Sequence, residues 1–473
     1  MCLGRRVKMK FFSNVVEFDN DLSEVVRLFY DDYDNSQDEI KIDAEIVDKK
    51  YVISVSINEK VFNYSFNERE AKKELHKKRY FKRAIKKAIY LALSEKTQIS
   101  LPWGCLTGVR PTKLVYELLP EKKSIIQVRS ELMKEYFVCE KKARLATEVV
   151  KNQKSIIKND KLINLYVNIP FCPTRCVYCS FISSEVSRCE KFIPQYVESL
   201  IKEIREMKKL LLDKCYIVSS IYIGGGTPTT LNCEQLEAVL SELAYDVREF
   251  TVECGRPDTI TKEKLDILKK YGVTRISINP QTFSDRTLKL IGRGHTKKQV
   301  FDAYALAMNY DFDVNMDFIA GLPKESLRTF KKNIDTALML APNNITVHTL
   351  AIKKGSILAQ NYTGQESNDI SKMLEYAFTK IQDAGYVPYY MYRLKNMLGS
   401  FENVGFCEKG KACKFNIDSM EETGSILAVG AGGISKRIYF NEERIERCAN
   451  VKDISGYISR LDEMIERKKE LFS

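Results

Sequence analysis

Three cysteines at Cys-x3-Cys-x2-Cys spacing, Cys172, Cys176 and Cys179, constrain this chain more than any other feature. They follow an apolar run, Leu162, Ile163, Leu165, Tyr166, Val167 and Ile169, which reads as a buried strand ending at Pro170. The thiols therefore sit on a loop at the C-terminal end of a strand. Soft thiolates this close together suit iron-sulfur or zinc chemistry, and a cubane 4Fe-4S cluster usually takes four protein cysteines. With three in the run, one iron lacks a protein ligand, and an open metal position is where an outside molecule binds. A structural zinc site would want a fourth Cys or His close by. No His lies between His76 and His295, and the next cysteine, Cys189, falls ten residues after Cys179 on an expected helix. A disulfide would leave an odd thiol and need an oxidising compartment.

A length of 473 residues exceeds the size at which one core usually stops growing, so two or three domains are expected. No apolar run is long enough to cross a bilayer and the N-terminus lacks the hydrophobic core of a signal peptide, which predicts a cytoplasmic protein with reduced thiols. Met9 looks a more natural start than Met1. The formal net charge of +12 is spread through helices, with no arginine-rich tail or aromatic-basic repeat, and this favours an acidic small substrate or mere solubility over nucleic acid.

Between residues 40 and 66 apolar and polar residues alternate three times: Ile40, Ile42, Ala44, Ile46; Ile53, Val55, Ile57; Phe62, Tyr64, Phe66. Period two with short polar breaks predicts an antiparallel meander. A helix follows, with Phe81, Ile85, Ile89 and Leu93 on one face and Lys78, Arg79, Lys82, Arg83, Lys86 and Lys87 on the others. That basic surface fits either an acidic partner or a solvated face. The Gly- and Pro-rich stretch from Pro102 to Lys113 reads as a binding loop, with Arg110 and Lys113 offered to an anion, or as a rigid connector.

From residue 162 strand-like and helix-like stretches alternate. Strands are predicted at 162–169, 217–223, 249–254, 274–278, 312–319 and 345–350, and a helix at 190–212 carries the apolar stripe Tyr196, Leu200, Ile204, Met207 and Leu211. Six βα units imply a parallel sheet, and in βα barrels the site lies at the C-terminal ends of the strands. The distinctive residues fall at such ends. Gly224-Gly225-Gly226-Thr227 follows the second strand, where glycines let a backbone approach a ligand, though a tight turn explains a glycine triplet equally well. Glu253 ends the third strand, Gln281 and then Ile291-Gly-Arg293-Gly-His295 follow the fourth, and Asp317 lies on the fifth. Each alone also fits a cap, a turn or an ion pair.

After an expected helix at 368–384, Tyr386, Tyr389, Tyr390 and Tyr392 precede Arg393 and Lys395. They read either as a platform for a flat ligand with cations for its carboxylates or as a strand with an aromatic core face. Cys407 and Cys413 have no companion cysteines nearby, too few for a second cluster.

The order of these motifs resembles the radical S-adenosylmethionine (SAM) superfamily, and within it the oxygen-independent coproporphyrinogen oxidases, or coproporphyrinogen dehydrogenases. The Leu106-Thr-Gly-Val-Arg-Pro111 loop and the long N-terminal extension are most similar to the HemZ branch. The resemblance implies an α/β fold in which a radical SAM partial (β/α)6 barrel, 159–360, lies between an N-terminal α+β domain, 1–158, and a C-terminal α+β extension, 361–473. It implies a 4Fe-4S cluster held by Cys172, Cys176 and Cys179, with SAM on the fourth iron as the source of a 5′-deoxyadenosyl radical. Tyr166 and Tyr178 would flank SAM, and Gly225, Gly226 and Thr227 would hold its methionine end. Glu253, Gln281, Arg293, Asp317 and Leu350 match further SAM-contacting positions, Glu253 towards the ribose hydroxyls. Leu427 to Ser435 is similar to a glycine-rich segment near the family's pocket.

Two positions depart from the pattern: Asn168 stands where well-studied members have His, and Phe181 where they have another Cys. The implied activity is oxidative decarboxylation of two propionates of coproporphyrinogen III to vinyl groups. No protein acid or base is assigned to the abstraction. A haem chaperone on the same scaffold is the alternative. The expected setting is a cytoplasmic monomer served by an electron donor such as flavodoxin or ferredoxin, with no nucleic acid and no membrane span.

Overall fold

Alternation of period two builds the strands that it predicts. The computed structural model describes residues 10–30, 38–71, 73–122, 124–153, 159–179, 183–351, 358, 367–393 and 401–473. The chain divides into two compact units, Met1–Thr147 and Glu148–Ser473. Phe181 and Lys395 lie outside the described residues.

In the first unit β1 (Lys10–Ser13) lies parallel to β2 (Glu39–Val47), while β2, β3 (Lys50–Ile57) and β4 (Lys60–Asn67) form the antiparallel meander. Asp48 and Lys49 both take positive φ, 46° and 59°, the tight hairpin connection whose twist matches the flanking strands. Helix Glu74–Thr97 packs on β3 and buries Ile85, Ile89 and Leu93 completely. Its cations are not left for a partner. Lys78 pairs with Glu17 at 3.1 Å, Arg79 and Arg83 with Glu117 at 3.0 and 2.6 Å, Lys82 with Asp21 at 2.5 Å and Lys87 with Glu135 at 2.8 Å. These five cations thus have carboxylate partners within the first unit, on a helix that packs on the meander by its other face. The loop before helix Pro111–Lys122 is built in as well. Trp103 is buried, and Gly104, at φ 53°, approaches the Tyr136 carbonyl so closely that a Cβ would overlap it.

The second unit holds β5 (Leu162–Ile169), the two-residue β6 (Phe171–Cys172) and β7 (Ser184–Glu185), then β8 (Ile217–Gly225), β9 (Phe250–Val252), β10 (Arg275–Ser277), β11 (Asp313–Ala320) and β12 (Asn344–Thr349). After them come β13 (Val387–Tyr392), β14 (Asn403–Cys407), β15 (Ser425–Val429), β16 (Ile434–Tyr439) and β17 (Arg444–Ala449). Strands β5, β8, β9, β10, β11 and β12 pair in parallel in that order, the six strands read from the sequence. Among the described residues the sheet does not close, and its order runs β13-β14-β12-β11-β10-β9-β8-β5-β15-β16-β17. The C-terminal strands extend this sheet at both ends: β14 joins β12 antiparallel, and β15 joins β5 parallel with Ala428 beside Tyr166.

Helix Ile193–Asp213 covers the outside of β5 and β15 with the expected stripe, and among its apolar residues lies a fully buried Glu203. The carboxylate pairs with Lys468, equally buried, from the last helix, Leu461–Leu471. It also accepts from Tyr457 Oη at 2.6 Å, Gly430 N at 2.7 Å and Asn450 Nδ2 at 2.9 Å. Lys468→Met strips this carboxylate of its cation while keeping it buried, and removing one side of such a pair typically costs about 3–5 kcal/mol. Removing both charges with Glu203→Gln and Lys468→Met should recover much of that loss in denaturant melts.

Candidate functional site

The cysteine loop leaves β5 against the turn that leaves β8. Gly226 N donates to Ile169 O at 2.8 Å and Thr227 N to Phe171 O at 2.7 Å. A Cβ on Gly226 would stand 2.5 Å from Phe171 O and 2.8 Å from Phe171 N, so only glycine lets the two backbones meet. Thr227 Oγ1 donates to the Cys172 sulfur at 3.6 Å. Farther along the loop, Thr174 Oγ1 donates to Gly292 O at 3.0 Å and accepts from Arg256 Nη1 at 2.8 Å, while Val177 N donates to Ile291 O at 3.0 Å. Arg256 is itself held by both oxygens of Asp258, at 2.8 and 2.9 Å.

Cys172, Cys176 and Cys179 are all half-buried. Burial pushes the Cys172 thiol up, against hydroxyl donors from Thr227 and Ser183 and the Arg256 charge, which favour the thiolate. Among the described residues no three His, Cys, Asp or Glu side chains converge as ligands of one ion. Thiolates of a 4Fe-4S cluster bind different irons, so they need not converge. Three soft donors on one loop, with hydroxyl and guanidinium donors behind the first, fit three corners of such a cluster.

Tyr178 packs beside Leu288, Ile291, Ile319, Leu322 and Leu350, and its hydroxyl accepts from Arg293 Nη1 at 3.2 Å. Buried Arg293 also donates through Nη2 to Gly255 O at 2.7 Å and Asn279 O at 3.0 Å, pinning Tyr178 to the ends of the third and fourth parallel strands. Gln281 follows β10 in the left-handed region, φ 66°, with its amide bonded to Asp317 O at 2.9 Å. Its buried Oε1 has no hydrogen-bond partner, nor has Asn279 Oδ1. Two orphaned acceptors at strand ends leave room for ligand donors.

A third group occupies one face of the sheet. Tyr166 stacks with Tyr222 and Phe415, and Tyr222 Oη donates to Glu253 Oε1 at 2.5 Å. Asp317 accepts from Asn315 Nδ2 at 2.8 Å and lies 3.7 Å from His348 Nε2, whose Nδ1 is 3.5 Å from Tyr392 Oη. Burial raises the Asp317 carboxyl, but the bonds from His348, Asn315 and Thr346 outweigh it and hold the group below the usual range. Glu253 is pushed up to about 7 by burial, opposed by the Tyr222 hydroxyl and reinforced by the Asp317 charge.

The structure thus brings Cys172, Gly226 and Thr227 into contact, joins Tyr178, Arg293 and Leu350, and places Tyr166, Glu253 and Asp317 on a common face. Gly225 turns at φ 106° between the first and third groups. Tyr166 and Tyr178, expected to flank SAM, pack on different clusters. The tyrosine platform is mostly core: Tyr386, Tyr389 and Tyr390 are buried, Gly405 gives way to the Tyr390 ring, and Arg393 is buried beside them. Half-buried Tyr392 stacks on Tyr390 and brings its hydroxyl within 3.5 Å of His348 Nδ1. Sequence reading missed Arg256 and His348. His348 carried a signal, being one of three histidines in the chain and two residues before Leu350 on an expected strand.

A carboxyl with a raised folded pKa contributes stability that is full below its unfolded value and is lost as pH rises through the folded one. Metal-free wild-type protein should therefore lose stability relative to Glu253→Gln as pH rises from about 5 to about 8. Parallel melting curves across that range check the sign.

Residues 166–337 match the radical SAM superfamily. The chain is 37% identical over 395 residues to the oxygen-independent coproporphyrinogen-III oxidase-like protein HemZ of Bacillus subtilis, covering 80% of this chain and 79% of that one. It is 34% identical over 199 residues to the heme chaperone HemW of the same organism, 41% of this chain and about half, 51%, of the relative. Coproporphyrinogen III oxidase (HemN) of Escherichia coli shares the fold, with a TM-score of 0.53 at 22% identity over 66% of this chain and 71% of that one. The strand order, the thiol loop locked to a glycine turn and the match across four-fifths of the chain place it in the radical SAM superfamily, whose cofactors are a 4Fe-4S cluster and SAM, within the family of oxygen-independent coproporphyrinogen-III oxidase-like proteins.

Proposed function

We propose that this protein converts coproporphyrinogen III to protoporphyrinogen IX without oxygen, turning two propionates into vinyl groups. The observation that carries the proposal is the likeness to the HemZ protein, 37% identical over 80% of this chain and 79% of that one. When bound, the cluster and SAM supply a 5′-deoxyadenosyl radical, the hydrogen-atom acceptor for a propionate β-carbon. Loss of carbon dioxide then leaves one electron for an external acceptor.

The chain's own work is holding and shielding. Cys172, Cys176 and Cys179 would ligate the cluster. Gly225, Gly226 and Thr227 would present the methionine end with backbone and hydroxyl groups. Glu253, Asp317 and the orphaned Gln281 Oε1 would accept from hydroxyl and amino donors. Arg293 would act through Tyr178, which it pins in place. Leu350 closes the apolar wall behind that ring. No side chain is assigned as an acid or base. Among the described residues no helix is long and apolar enough to cross a membrane. The proposal adds a cytoplasmic monomer reduced by a flavodoxin or ferredoxin.

The test is anaerobic turnover of coproporphyrinogen III by reconstituted protein with SAM and a reductant. Vinyl product with stoichiometric 5′-deoxyadenosine is expected, and alanine at any of the three cysteines should abolish both along with the cluster's visible absorption. Deoxyadenosine without vinyl product rejects this substrate. The likeness to HemW supports a second reading, haem delivery; tight haem binding and transfer without turnover would establish it instead.

A further inference from the structure

The tip of β5 is held from outside the parallel core. Asn168, the second-last residue of β5, donates through Nδ2 to Ala431 O at 2.5 Å and accepts at Oδ1 from Tyr166 Oη at 3.0 Å. Its carbonyl accepts from Tyr196 Oη at 2.6 Å, and that same hydroxyl accepts from Ala431 N at 3.1 Å. Glycines flank it on both sides. A Cβ on Gly225 would stand 2.2 Å from Asn168 Oδ1, and one on Gly430 would stand 2.2 Å from Asn168 O. Gly430 is fixed in turn, its N–H donating to Glu203 Oε2 at 2.7 Å and its carbonyl accepting from Asn450 Nδ2 at 2.8 Å. Lys468 closes the chain of bonds, donating to Glu203 Oε1 and to Asn450 Oδ1, the latter at 2.5 Å.

We infer that Asn168 is a positioning residue, set from the far end of the chain by the buried Glu203–Lys468 pair, that fixes Tyr166 and the Gly225 turn for SAM. One amide N–H is given to Ala431 O and the amide oxygen takes the Tyr166 hydroxyl, so the residue at the family's histidine position braces the scaffold. Gly430 and Ala431 transmit the constraint, because Gly430 bonds the buried carboxylate and packs on Asn168 O, and Ala431 O takes the Asn168 amide N–H. This rests on the proposal that the SAM methionine end lies at Gly225, Gly226 and Thr227.

The experiment compares wild type, Asn168→Ala, Lys468→Met and the double variant. Anaerobically reconstituted protein gives the SAM dissociation constant from the change SAM makes in the EPR spectrum of the reduced cluster. Iron-free protein gives the alkylation rate of Cys172 against that of exposed Cys215. Asn168→Ala should weaken SAM about tenfold, the scale of one to two buried hydrogen bonds, and speed alkylation of Cys172 but not Cys215. Lys468→Met should do the same, and the double variant should bind SAM no worse than the weaker single one. Should Lys468→Met fail to fold, Tyr196→Phe replaces it, removing only the hydroxyl shared by Asn168 O and Ala431 N. SAM affinity of Asn168→Ala within twofold of wild type, or losses that multiply in the double variant, overturn the inference. A wild type that binds no SAM overturns instead the proposal on which it rests.

Discussion

Everything in the second unit depends on two backbones meeting where β5 and β8 end. Phe171 and Gly226 stand so close that a single methyl group would separate them, and the bonds from Gly226 N and Thr227 N to Ile169 O and Phe171 O span the gap. This contact joins a thiol loop to an amide-rich turn. The thiols would hold a metal centre, and the turn is locked beside them, its Gly225 N–H donated to Glu253 and its Gly226 and Thr227 N–H groups to the cysteine strand. Parallel pairing of β5 with β8 over their whole length makes the meeting unavoidable, because the register brings Ile169 level with Gly225.

Most of that core was legible in the residues. Strands β5 and β8 are mostly apolar, and β11 and β12 place Val314, Met316, Phe318, Ile345 and Val347 at alternate buried positions, whereas Arg275-Ile-Ser277 of β10 carries a single apolar residue. The cysteine spacing and the glycine triplet were equally plain. The tyrosines of β13 were not, since a strand rich in Tyr looks the same from sequence whether its rings face a ligand or a core. The structure decides by volume: Gly405 opposite Tyr390 leaves space that the ring fills. β15 was hidden for a different reason. Its apolar run is four residues long, Ile426 to Val429, and sits beside glycines, so nothing local says that it will join β5 across more than two hundred residues of chain.

The buried charges could have been found. Glu203 lies three residues after Leu200 and four before Met207, on the apolar stripe of its helix, and Lys468 lies three after Ile465 and three before Leu471 on another. A lone acid on one stripe and a lone base on another have few ways to avoid an unpaired buried charge. Their pairing therefore identifies two helices that must pack together, which periodicity alone cannot do.

The same reasoning explains the electrostatics of the sheet face. Glu253 and Asp317 approach one another from β9 and β11, and two neighbouring carboxylates do not both ionise easily. Asp317 receives His348, Asn315 and Thr346, whereas Glu253 has the Tyr222 hydroxyl and the Gly225 amide. The richer donor set takes the charge, and burial leaves the other group neutral until pH is close to 7. The face thus sets a carboxyl held below its usual range at Asp317 beside one pushed up to about 7 at Glu253.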